Sequence, residues 1–90
     1  KGALVSMTRA IAREVAPHGI TVNAVAPGMV RTEMVADKLA ADPARYLSRI
    51  PLNRIAEPED IANAVVFLSS AAADYMTGTT LDVTGGMLMR

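Results

Sequence analysis

The sequence contains no cysteine, which excludes a disulfide framework, thiolate chemistry and the cysteine-bearing kinds of zinc site. Charge of one sign is equally scarce. Nine Lys or Arg balance nine Asp or Glu with no block of either, so the basic face expected of a nucleic-acid binder is missing. No apolar run approaches the roughly 18 residues of a membrane span, and no membrane partner is expected. The single histidine, His18, has no second histidine or cysteine near it, and no metal site is predicted. A cytoplasmic setting is the expectation that agrees with these absences. The usual signs of a chain start are also lacking: residue 1 is Lys, and a helical pattern is running by Leu4 with no capping Ser, Thr, Asn or Asp ahead of it. The sequence reads as one cut inside a helix.

What is present is apolar and periodic. Half of the 90 residues are hydrophobic, which argues against disorder, and the length permits one small domain at most. Leu4, Met7, Ile11 and Val15 recur at three- and four-residue steps and predict a helix over 2–16, ended by Pro17 and Gly19. Residues 20–26 are short, β-branched and mostly apolar, as in a parallel strand covered on both faces, with Asn23 the polar exception. Met34, Val35 and Leu39 suggest a short helix, and Asp42-Pro43 resembles a cap and first-turn proline opening another. Residues 50–57 read as a connector. Pro58-Glu59-Asp60 then opens the clearest helix, with Ile61, Ala64, Val65 and Leu68 on one face and an end near Ser70. Gly78 closes a turn, Thr79–Val83 makes a second strand, and Gly85-Gly86 terminates it.

This alternation predicts an α/β fold with two parallel strands joined by a helical crossover. Two such strands alone leave both edges unpaired, so the sequence describes part of a larger sheet.

Ligands of open parallel sheets bind beyond the carboxyl ends of the strands. APGMVRT, residues 26–32, falls there. Pro27 presets its own backbone, Gly28 admits an approach that a side chain would block, and the backbone groups of Met29 and Val30 are offered to a planar amide or a phosphate. Thr32 supplies a hydroxyl at the predicted start of the next helix. On pattern alone the stretch is either a plain loop or a ligand loop. Lys1 by the same standard is an ordinary lysine, Glu57, Glu59 and Asp60 are solvated helix-start acids, and Arg31, Lys38, Arg45, Arg49 and Arg54 are surface charges.

Taken in order, the segments KGALVSMTRAIAREVAPHGITVNAVAPGMVRTEM and PLNRIAEPEDIANAVVFLSSAAADYMTGTTLDVTGG resemble the carboxyl-terminal part of the short-chain dehydrogenase/reductase family. The likeness is closest to its 3-oxoacyl-[acyl-carrier-protein] reductases. It implies the last two strands and their helices of a doubly wound, Rossmann-like parallel sheet, with residues 1–90 the end of one NAD(P)-binding domain and 33–49 a substrate-covering segment. It also implies an NAD(P)-dependent oxidoreductase, with NAD and NADP both open, acting on a small carbonyl or alcohol substrate, carrier-linked or free.

Lys1 matches the family's catalytic lysine, which lowers the pKa of a tyrosine four positions before it and contacts the nicotinamide ribose. Pro27 and Gly28 match the loop beside the nicotinamide, Val30 the backbone contact to its carboxamide, and Thr32 the hydroxyl that binds that amide or the adjacent phosphate. The tyrosine, a serine, an asparagine and the Gly-rich dinucleotide loop would all precede Lys1, so these 90 residues alone are expected to be inactive. A homo-oligomer, dimer or tetramer, is implied, with the first helix and the helix near 59–70 at its interfaces. A broad alcohol, sugar or steroid dehydrogenase of the same family, or a noncatalytic assembly module, remains the alternative.

Overall fold

The computed structural model describes residues 2–87, so Lys1 lies outside the described residues. Helix α1 spans Gly2–Val15 and tightens into a 3-10 turn over Ala16–His18, which Gly19 closes with a left-handed φ of 72°. Its inward face is made largely of small residues. Thr8 and Ala12 are buried between half-buried Leu4, Val5 and Val15, whereas Met7 and Ile11 are 55 % and 40 % exposed. Small residues win that face because α1 approaches closely: the Ala12 Cβ lies 3.7 Å from where a Cβ on Gly78 would stand. Thr8 is tolerated there because its hydroxyl donates to the Leu4 carbonyl at 2.7 Å.

Strand β1, Ala24–Pro27, begins four residues later than the apolar run suggests. Ahead of it, side chains replace the ladder. The Val22 N–H donates to Thr77 Oγ1 at 3.1 Å. Asn23 clamps the turn opposite, its Nδ2 donating to the Met76 carbonyl and its Oδ1 accepting from the Thr79 N–H, both at 3.1 Å. The polar exception in the run is therefore what seats the second strand. That strand, β2, spans Thr80–Val83 and pairs with β1 in parallel, Ala24 with Thr80 through Pro27 with Val83. The predicted parallel pairing is observed, and among the described residues the sheet has these two strands only.

Helices α2, Glu33–Ala41, and α3, Pro43–Leu47, follow β1, and α3 starts as predicted with Asp42 Oδ1 accepting from the Arg45 N–H at 3.4 Å. Helix α4, Pro58–Leu68, packs on both strands while α1 packs on β1. It ends two residues earlier than expected because Ser69 and Ser70 turn their hydroxyls onto the carbonyls of Val65 and Phe67, at 2.8 and 2.6 Å.

The connector over 50–57 is a packed part of the structure. Ile50 and Ile55 are among the few buried apolar side chains, and the Leu52 N–H donates to the Gly85 carbonyl at 3.0 Å, tying the connector to the end of β2.

Candidate functional site

Loop 28–32 leaves the carboxyl end of β1 and is fixed at both ends. At the start, the Gly28 N–H donates to the Val83 carbonyl at 3.0 Å, extending the ladder by one bond. A Cβ on Gly28 would stand 3.0 Å from Thr84 Cα and 3.1 Å from Thr84 Cβ, so the glycine is required by the chain's own packing against β2. At the far end, Thr32 is the N-cap of α2: its Oγ1 accepts from the Val35 N–H at 3.3 Å. Accepting that bond leaves the hydroxyl proton able to donate elsewhere.

Between these ends, Val30 forms an isolated parallel bridge with Ala56. Its bonds run through the neighbours: the Arg31 N–H donates to the Ala56 carbonyl at 2.8 Å, and the Ala56 N–H donates to the Met29 carbonyl at 3.1 Å. In a parallel pair the bridged residue turns its own polar groups to the opposite side. Accordingly, among the described residues neither the N–H nor the C=O of Val30 has a hydrogen-bond partner. The N–H groups of Thr32, Glu33 and Met34 are likewise unpaired there, as the opening of a helix leaves them. The loop thus presents one backbone donor and acceptor side by side, then a hydroxyl, then a cluster of amides at the positive end of α2. That set suits a primary amide followed by an anion.

Pro27 ends β1, and Gly28, Val30 and Thr32 lie along this loop. Lys1 lies outside the described residues.

An ionic network behind the loop was not legible in the sequence. Arg31 Nε meets Glu57 Oε1 at 2.7 Å, and Arg54 grips Asp60 through two nitrogens at 2.8 and 3.1 Å. Asp60 Oδ2 also accepts the Glu57 N–H at 2.8 Å. The Arg54 guanidinium and that amide hold the Asp60 carboxyl at a pKa of about 2, below the usual 3.8. Glu57 and Asp60 are therefore engaged rather than simply solvated, each paired with an arginine that remains partly exposed. The only hint in the sequence was chemical complementarity, across 26 residues in the case of Arg31 and Glu57.

An open cleft of about 510 Å³ lies between the connector, α4 and the end of β2, with Leu52, Arg54, Asn63 and Gly86 on its walls. None of Pro27, Gly28, Val30 and Thr32 lines it.

Residues 1–88 match the family model described as Enoyl-(Acyl carrier protein) reductase. The chain is 52 % identical over 90 residues to the 3-oxoacyl-[acyl-carrier-protein] reductase FabG of Rickettsia bellii, covering 99 % of this chain and 37 % of that protein. Among solved structures it resembles a short-chain dehydrogenase/reductase described as glucose/ribitol dehydrogenase from Brucella melitensis. There the TM-score is 0.88 at 43 % identity, over 100 % of this chain and 36 % of that one. It also resembles YwfH, described as an NADPH dependent reductase involved in bacilysin biosynthesis, with a TM-score of 0.86 at 29 % identity over 99 % and 38 % of the two chains. The chain thus spans a little over a third of the proteins it matches. With the family model running through nearly every residue and the parallel-sheet geometry shared with solved members, the chain belongs to the short-chain dehydrogenase/reductase family.

Proposed function

We propose that this chain forms the nicotinamide-side, carboxyl-terminal portion of an NAD(P)-dependent oxidoreductase, residues 1–90 belonging to one Rossmann-like domain. The reaction is hydride transfer between nicotinamide and a small carbonyl or secondary alcohol. A 3-oxoacyl thioester is the favoured substrate class, because the Rickettsia bellii relative bears that activity in its name. Either NAD or NADP satisfies the contacts offered here, and the similar YwfH is described as NADPH dependent.

The observation that carries this reading is the unpaired N–H and C=O of Val30 beside the Thr32 cap. A carboxamide has one acceptor and one donor group, and Val30 offers the complement, fixing the rotation of the ring that bears it. Thr32 donates its hydroxyl proton to that amide or the adjacent phosphate, and the open amides of Glu33 and Met34 favour the anion. Pro27 and Gly28 turn the chain beneath the ring. When bound, the cofactor supplies or accepts the hydride at the substrate carbon. Lys1 contacts the ribose, and its charge lowers the pKa of a tyrosine from beyond these 90 residues, which gives or takes the proton at the substrate oxygen. Residues 33–49, the α2–α3 segment, cover the substrate and exclude water. The working protein is a cytoplasmic homo-oligomer, a dimer or tetramer.

The test uses the full-length protein that carries this chain. Thr32→Val should weaken NADH or NADPH binding followed by nicotinamide fluorescence, and Lys1→Ala should also lower turnover by about a hundredfold or more. Wild-type affinity and turnover in both variants would overturn the reading.

A further inference from the structure

Arg31 stands between the two residues proposed as cofactor contacts, and it is fastened twice to the connector. Its backbone N–H reaches the Ala56 carbonyl at 2.8 Å and its Nε reaches Glu57 Oε1 at 2.7 Å. The carboxylate that grips it is itself mounted: the Glu57 N–H is held by Asp60 on the first turn of α4, and Asp60 is gripped by Arg54. Among the described residues, the loop is otherwise held by the Ala56 N–H bond to the Met29 carbonyl, the Gly28 bond to Val83 and the Thr32 cap. Residues 29–31 are thus a short span whose rotation decides which way the open Val30 edge faces, and the bridge to Ala56 together with the ion pair sets that rotation.

Stability gives a poor reason for the pair. Its side chains are 44 % and 47 % exposed, and ion pairs so wetted contribute little to folding. Position gives a better one. We infer that the Arg31–Glu57 ion pair is a positioning pair that holds the Val30–Thr32 edge toward the carboxamide of a bound nicotinamide, without touching the cofactor itself. This rests on the cofactor reading above.

The experiment compares Glu57→Gln, Arg31→Met and the exchanged double variant R31E/E57R in the full-length protein. Each is titrated with reduced cofactor and with ADP-ribose, which lacks the nicotinamide. Each single variant should raise Kd and KM for the reduced cofactor about two- to fivefold, the scale of one half-exposed ion pair, with kcat at saturation and the melting temperature little changed. ADP-ribose affinity should not move, and the exchanged pair should recover much of the loss. Unchanged cofactor affinity in the single variants, or an equal loss for ADP-ribose, overturns the positioning role. Thr32→Val separates the two readings: if it weakens cofactor binding while Glu57→Gln does not, only the positioning inference fails. If Thr32→Val binds like wild type, the loop assignment beneath it fails as well.

Discussion

Gly28 and Gly85 are glycine for reasons internal to the chain. Gly28 gives way to Thr84 at the end of β2, where a methyl group would press on backbone. Gly85 has a φ of 64°, and a Cβ there would stand 2.8 Å from Cγ2 of the buried Ile50. Gly85→Ala therefore combines a left-handed backbone with overpacking, and should destabilise the full-length protein by about 2 kcal/mol or more, read from its urea midpoint. The sequence marked Gly28 as a site of close approach and Gly85 as the end of a strand, without the internal neighbours that crowd them. Thr84 and Ile50 come close to them only through the fold. Asn23 is the same case: a polar residue in a strand pattern is visible, and the turn at 76–79 that it clamps is not.

The elements themselves were easier to read, and where the reading slipped a specific competitor won. The opening of α4 was legible because Pro58, Glu59 and Asp60 are all first-turn residues of a helix. Its end was not, since serine hydroxyls took the last carbonyls. The three- and four-residue spacing of Leu4, Met7, Ile11 and Val15 made α1 legible as a helix, but not which of its faces turns inward, since the buried Ala12 sits there by its small size. The opening of α4 also carries a pH signature. The folded Asp60 carboxyl has its pKa lowered to about 2 from 3.8, first by the hydrogen bond from Arg54 and then by the Glu57 amide. A lowered carboxylate pKa contributes stability that is complete above the unfolded value and is lost as pH falls toward the folded one. Asp60→Asn should therefore flatten the stability profile between about pH 4 and pH 2, measured by denaturation across that range, while leaving its slope above pH 5 unchanged.

At the scale of the whole molecule, the described residues are extended, 50 × 25 × 21 Å, with a radius of gyration of 15.5 Å. A compact domain of 90 residues would have about 12 Å. The core is correspondingly thin, four apolar residues and Thr8, and large apolar side chains remain outside: Val66 is 67 % exposed and Phe67 42 %. The sequence had suggested a part of a larger sheet from the two strands alone, and the chain indeed covers only 36 % of the similar solved structure. Under the proposed homo-oligomer, the outer face of α4 belongs to a subunit contact. Val66→Glu should then lower the mass measured by light scattering toward that of a smaller assembly, with cofactor affinity per subunit retained. An unchanged mass would remove α4 from the interface.

The one-residue bridge between Val30 and Ala56 has a consequence for variation. The chain leaves it at Arg31, makes α2 and α3, and returns through Ile50 and Ile55, which are buried, to the same place. Residues 33–49 are therefore an excursion that begins and ends at a clasp. Lengthening such an excursion twofold adds only about 0.6 kcal/mol of closure entropy. A chain built this way can exchange the whole excursion, and with it whatever it covers, while the wall beneath keeps its shape.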